Sequence, residues 1–250
     1  MKIVYFGFDL FADCFKTIAD MENVEIMALY TFPTDNIFEF NKEVIKIAEE
    51  KGIPYFTEKI TREKLEEYFN NGCYTTFSAG YIHKIPILDR EDFKGINLHP
   101  ALLPMGRGPW PYPQTILKGL EESGVTIHKI TDRFDEGDIL IQKEFPINAD
   151  ETLDTLTKKS QELGKELCIK VFSDFDNLWN RAKPQEIGEY WPEPTDKERT
   201  IRENMDIEEA QKIIRAFGSF GVVFKGEVYK YPKISIIDGK IELKNSKKVP

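Results

Sequence analysis

Between residues 2 and 99 the chain alternates short apolar runs with amphipathic stretches, and this alternation restricts the fold more than any other feature. The runs are KIVYFG (2–7), VEIMALYTF (24–32), IPYF (53–56), CYTTFSAG (73–80) and INLH (96–99). Rich in β-branched and aromatic residues, they read as strands buried on both faces. Helices are expected between them. Phe11, Phe15, Ile18 and Ala19 share one helical face; Phe40, Val44, Ile47 and Ala48 share another, over 38–51, which Gly52 ends. Leu65, Tyr68 and Phe69 mark a third helix over 62–70. Strands that alternate with helices predict an α/β fold with a doubly wound, mostly parallel sheet. In such sheets ligands lie beyond the carboxyl ends of the strands, where Gly7, Gly80 and His99 fall.

Beyond residue 120, GVTIHKI (124–130) and DILIQKEFPI (138–147) read as a strand pair around the polar segment TDRFDEG. One long helix is expected over 152–179, with Leu153, Leu156, Leu163, Leu167, Val171 and Leu178 facing the sheet. Residues 183–199 hold three prolines and many charges and read as a linker. They divide an N-terminal catalytic domain (1–182) from a small C-terminal region (200–250) with a helix and a β-hairpin. In that region Asp238-Gly239, between ISII and KIEL, is a type I′ hairpin signal.

Of the 250 residues 41% are hydrophobic and 31% charged, with a net charge of −9, which argues against non-specific attraction to nucleic acid or anionic membranes. No stretch approaches the roughly 18 apolar residues of a membrane span. MKIVYFGFDLFADCF lacks the apolar region and cleavage site of a signal peptide, so a cytoplasmic location is expected. Cys14, Cys73 and Cys168 are odd in number and far apart; each is expected to be a buried free thiol, outside any disulfide or metal site. After the first strand GFDLFA carries one glycine and two phenylalanines, which would keep backbone amides from a dinucleotide pyrophosphate.

Only three histidines occur, and one closes the fifth strand in GINLHPALLPMGRGPWP. Asn97 precedes His99 by two residues, so in a strand both side chains emerge on one face. One is an amide donor; the other titrates near neutrality. Five prolines between 100 and 113 stiffen the following segment, which reads as a rigid wall that is neither helix nor strand. A second polar cluster is Asp132, Asp135 and Asp138. An Asn-His-Asp set suits acyl transfer to an amine: histidine takes the proton, asparagine donates to the oxyanion, and aspartate orients the imidazole. The plainer alternatives are a strand-end histidine satisfied by backbone and a solvated aspartate turn. His83 reads as a surface residue and His128 as a core or half-exposed one. Trp110 and Tyr112 could stack on a ligand ring or pack on their own loop. Arg107 could meet phosphate oxygens or make a structural ion pair.

NLHPALLPMGRG and GVTIHKITDRFDEGDIL resemble the Asn-x-His and Leu-Leu-Pro loop, and the Gly-Val-Thr strand and aspartate loop, of the folate-dependent formyltransferases. Ala101 stands where serine is usual in that family. KIVYFGFDLFA and FSAGYIHKIP are similar in kind and order, so the resemblance covers roughly residues 1–180. It implies the Rossmann-like formyltransferase fold with a small β-rich C-terminal subdomain. It also implies Asn97, His99 and Asp135 as catalytic residues, N10-formyltetrahydrofolate as donor, and no metal. The pterin would lie against Phe77, Ser78, Ala79, Gly80, Tyr81, Ile82 and Asp132. The chain looks most like the sugar-nucleotide N-formyltransferases, whose acceptor is an amino-dideoxy sugar on a nucleoside diphosphate such as dTDP and whose products enter O-antigen, lipopolysaccharide or other surface glycans. Arg107, Trp110 and Tyr112 are then the expected substrate contacts, and a homodimer the expected assembly. The alternatives are a methionyl-tRNA formyltransferase, which the acidic charge disfavours, and a non-catalytic folate- or nucleotide-binding module.

Overall fold

A computed structural model describes residues 1–34 and 41–244, together with the backbone of 247–248. The first half alternates as the apolar runs predict. It comprises β1 (Lys2–Gly7), α1 (Ala12–Ala19), β2 (Glu25–Tyr30), α2 (Glu43–Glu50), β3 (Tyr55–Phe56), α3 (Arg62–Asn70), β4 (Cys73–Ala79) and β5 (Gly95–His99). Among the described residues α2 starts at Glu43; residues 38–40 of the expected helix lie outside them. Then come β6 (Met105–Arg107), α4 (Pro111–Leu117), β7 (Glu122–Lys129), β8 (Ile139–Pro146), α5 (Leu153–Ser173) and α6 (Phe175–Asn180). The remainder is β9 (Glu189–Tyr190), β10 (Thr200–Ile201), α7 (Ile207–Phe217), β11 (Val222–Phe224), β12 (Glu227–Lys230), β13 (Lys233–Ile237), β14 (Lys240–Lys244) and β15 (Lys247–Lys248).

Seven strands form one sheet in the order β3-β2-β1-β4-β5-β7-β8. The first five are mutually parallel; β7 pairs antiparallel with β5 and β8 antiparallel with β7, so β7 alone runs against the rest. The chain runs outward from β1 to β2 and returns to place β4 on its other side, so the strand order reverses there, and beyond the carboxyl ends at such a point is where ligands of these sheets bind. On one face Ile3, Tyr5, Phe77, Ile96 and Leu98 pack beneath α1 and α5; on the other Val4, Phe6, Ala28 and Tyr30 pack beneath α3. Behind β1, Asp9 accepts the amide hydrogens of Lys42, Glu43 and Val44 at 2.8, 3.2 and 2.9 Å. A carboxylate thus caps α2 from 33 residues away and satisfies donors that a helix start leaves unpaired.

Two expected elements differ. The long helix over 152–179 is broken at Asp174, which has φ −143° and separates α5 from α6. The bend turns Phe175 onto Tyr74, with ring centroids 5.7 Å apart, and stacks it on Trp179. The proline-rich wall is also more regular than expected: β6 lies inside it, and α4 begins at Pro111, whose fixed φ suits a first helical position.

The C-terminal strands form two hairpins. Lys225 and Gly226 between β11 and β12, and Asp238 and Gly239 between β13 and β14, all have positive φ, as type I′ turns require. Together with α7 these strands share a core with α4 and α5, in which Tyr112, Ile116, Leu153 and Leu156 meet Ile213, Phe217, Val222 and Phe224.

Candidate active site

Strand register aligns Phe6, Ser78, Asn97 and His128 across β1, β4, β5 and β7 on the face that also carries His99. His99 is 5% exposed, and its Nε2 lies 2.7 Å from the Gly106 carbonyl oxygen. A carbonyl only accepts, so Nε2 carries the hydrogen and Nδ1 of the neutral ring keeps its lone pair. That Nδ1 is 3.5 Å from Oδ1 of Asp135.

Asp135 lies in the turn between β7 and β8 with φ +58°, a left-handed conformation that aspartate tolerates better than most residues. Its Oδ2 accepts the Gly108 amide hydrogen at 2.9 Å. Its Oδ1 faces Asn97 Nδ2 at 3.4 Å and His128 Nε2 at 3.4 Å. Four groups from β5, β7 and the loop after β6 thus converge on one carboxylate.

Burial opposes charge on both partners, with different outcomes. For His99 burial is the larger influence, helped by nearby His128. It outweighs the pull of Asp135 and of the Gly106 hydrogen bond, so the imidazole is held below its ordinary 6.5 and is neutral at pH 7. For Asp135 burial would raise the carboxyl. His99, His128 and the Gly108 amide together outweigh it, and the carboxyl is lowered to about 2. The site therefore pairs a neutral imidazole with a permanent anion.

The residues expected at the pterin divide. The Phe77 ring is fully buried between Tyr5 and Phe172, at 5.4 and 5.5 Å, so only the backbone of this residue is left to face the crevice side. Ser78 and Ala79 are buried in β4, and Gly80 follows with φ +78°. Tyr81 is half-buried and stacks on Phe32 at 5.3 Å, with its hydroxyl unpartnered and pushed up to about 12 by burial. Ile82 is 70% exposed. Asp132 stands in solvent 3.7 Å from Lys84, which brings the segment after β4 beside the aspartate loop.

The residues expected to contact the acceptor lie as follows. Tyr112 is 2% exposed and belongs to the core shared with the C-terminal strands. Trp110 packs on Phe217 and Phe220, at 6.0 and 4.7 Å, because α4 is the surface on which α7 rests. The Arg107 guanidinium donates to Gln185 Oε1 and to the Glu186 carbonyl, within the 183–199 segment. That segment is no bare crossing: β9 pairs with β6, and Lys183 bridges Ile139.

Sequence reasoning missed three contributors. His128 sits opposite Asn97 and accepts from its amide at 3.1 Å. Thr126 and Gln142 staple the wall after His99 to the sheet. Thr126 Oγ1 donates to the Ala101 carbonyl at 2.7 Å, and Gln142 Nε2 donates to the Leu103 carbonyl at 2.8 Å. Cross-strand alignment with Asn97 and His99 is the signal that could have found His128 and Thr126. Cys14, Cys73 and Cys168 are buried free thiols. Among the described residues no three His, Cys, Asp or Glu side chains are arranged to hold a metal ion, and no helix is long and apolar enough to cross a membrane.

A doubly wound sheet with this polar set beyond β5 defines a formyl transferase fold. The sequence profile of the formyl transferase family matches residues 38–172, and the chain belongs to that family. The methionyl-tRNA formyltransferase of Ehrlichia canis (strain Jake) is 32% identical over 188 residues, which cover 71% of this chain. The aligned part spans 62% of that relative's length. Among solved structures, WlaRD, a sugar 3N-formyl transferase crystallised with dTDP and 5-N-formyl-THF, superposes with a TM-score of 0.69 at 20% identity. It covers 100% of this chain and 98% of its own. HypX from Aquifex aeolicus in complex with tetrahydrofolic acid gives 0.67 at 17% identity, over 92% of this chain and 37% of its own.

Proposed function

We propose that the chain is an N-formyltransferase that moves a formyl group from N10-formyltetrahydrofolate to the amine of a nucleotide-linked amino-dideoxy sugar. One observation carries this reading: the lone-pair nitrogen of a neutral, buried His99 lies 3.5 Å from the ionised Asp135. The donor supplies an electrophilic formyl carbon with tetrahydrofolate as its leaving group. His99 Nδ1 accepts the proton that the amine releases as it attacks that carbon, and returns it to N10 as the C–N10 bond breaks and tetrahydrofolate leaves. Asp135 then pairs with the imidazolium and offsets its burial. Asn97 donates to the oxygen that gains charge. Both hydrogens of its amide are directed at His128 and Asp135, so the longer 3.4 Å contact opens to serve that oxygen. Ser78, Gly80, Tyr81, Ile82 and Asp132 line the donor's side of the crevice in this reading.

The sugar acceptor is supported by the end-to-end likeness to WlaRD, which includes the C-terminal hairpins, and by the net charge of −9. A tRNA acceptor is the second reading, since the sequence relatives carry that name. Purified protein is assayed for tetrahydrofolate release with dTDP-, UDP- and GDP-linked amino sugars and with methionyl-tRNA. Turnover on a nucleotide sugar, abolished in His99→Ala, is expected. Formylation of methionyl-tRNA alone would replace the sugar reading, and full turnover by folded His99→Ala would overturn the mechanism.

A further inference from the structure

Arg107 lies between two glycines that each hold one member of the central pair. Gly106 accepts the His99 Nε2 hydrogen through its carbonyl, and Gly108 donates its amide hydrogen to Asp135. Both glycines have positive φ, +77° and +122°. The geometry also leaves no room for a side chain. A Cβ on Gly106 would lie 2.8 Å from the Trp191 ring, and one on Gly108 would lie 2.2 Å from the Trp191 carbonyl oxygen. This tightly built loop meets the Asp135 loop through the Gly108 hydrogen bond, through Arg107 Nη1 at 3.9 Å from Glu136, and through a side chain from the 183–199 segment.

We propose that Gln185 is a positioning residue for His99 and Asp135, because its carboxamide ties together the two loops that carry their partners. This proposal rests on the catalytic reading of that pair. Gln185 Nε2 donates to the carbonyls of Asp135 and Gly137 at 2.9 and 2.7 Å. Its Oε1 accepts from Arg107 Nε and Nη2 at 3.1 and 2.9 Å. Every hydrogen-bonding site of the amide is used, two as donor and two as acceptor. No other side chain does both tasks from this position. Glutamate would set an anion against two carbonyl oxygens. Lysine would repel Arg107, and leucine would leave all four groups without this partner. The backbone adds to the tie, since Trp191 N donates to the Arg107 carbonyl at 2.6 Å. Gln185 touches neither His99 nor the Asp135 carboxylate, so its effect passes through Arg107 and the Asp135 backbone.

The test compares full-length Gln185→Leu and Gln185→Glu with the wild type by ¹⁵N NMR, with thermal melts and amide protection of β1 as controls for folding. In the wild type the Gly108 amide proton is expected downfield, beside the Asp135 carboxylate, and the His99 ring is expected as the Nε2–H tautomer. In both variants the Gly108 amide is expected to move upfield and exchange at least about tenfold faster, with His99 a mixture of tautomers. Where an acceptor is known, kcat falls by about 10- to 100-fold while both KM values change by less than about threefold. Should the leucine variant not fold, the isosteric glutamate variant carries the test. An unchanged Gly108 amide and His99 ring in folded Gln185→Glu would overturn the proposal. The spectra need no substrate, so a failure of the formyl-transfer reading is told apart from a failure of this one.

Discussion

Asn97 and His128 stand opposite each other in the β5–β7 pair, with the amide nitrogen of one 3.1 Å from Nε2 of the other. His128 is itself fixed, because its Nδ1 donates to the Lys129 carbonyl at 2.8 Å, and the Nδ1–H tautomer leaves Nε2 to accept from Asn97. The amide that would meet the developing oxyanion is therefore oriented by a histidine outside the expected trio.

It follows that His128→Leu, which keeps the volume and removes the acceptor, lowers kcat by about 10- to 100-fold with little change in fold. His128→Gln, which can still accept from Asn97, recovers most of the loss. Steady-state kinetics of the two variants check this; equal rates for His128→Leu and wild type would rule it out.

Acid stability depends on Asp135. Folding lowers its carboxyl from 3.8 to about 2, so its contribution is complete above about pH 4 and is lost as pH falls towards 2. That difference amounts to about 2 kcal/mol. His99 is also depressed by folding, through burial, so its contribution is complete above about pH 7 and fades as pH falls through 6.5 and below. Asp135→Asn removes the first contribution, and urea midpoints at pH 7 and pH 3 should lie closer together than in wild type. The acid limb of kcat/KM lies below 6.5, and because Asp135 raises His99 the variant moves that limb lower still. A limb that moves upward contradicts the assignment.

Tyr112 lies in the core, and its substitution tests whether it also contacts the acceptor. Neither its hydroxyl nor that of Ser160 makes a well-formed hydrogen bond, although the two lie close enough to interact. Tyr112→Phe should change stability by less than about 0.5 kcal/mol and leave the acceptor KM unchanged. A large rise in KM would return Tyr112 to the substrate site.

Asp9→Ala removes the distant cap of α2 and leaves three amides without their carboxylate partner. A loss of about 1 kcal/mol is expected from denaturant unfolding. An unchanged midpoint would mean that water replaces the cap at no cost.

Much of the fold was legible because apolar runs at strand length and helical periodicity are local signals. β1, β4 and β5 lie within a residue or two of where the runs put them, and the Asp238-Gly239 turn follows from dihedral preference alone. Of the site, the Asn97–His99 pair was readable from strand alternation. The surroundings of Arg107, Trp110 and Tyr112 were not legible, because a loop residue's exposure depends on what packs over it, and here α7 and residues 183–191 do. The helix break at Asp174 was hidden because leucine spacing continues across it.

By itself the sequence determined the strands, the helices, the shared face of Asn97 and His99, and the family motif around them. These follow from backbone preference and side-chain period, which act between neighbours. Only the tertiary structure decided which nitrogen of His99 is free, that Asp135 is held ionised beside it, and that His128 and Gln185 belong to the same assembly. Those properties come from burial, strand register and hydrogen bonds between residues as many as 78 positions apart, which no local pattern encodes.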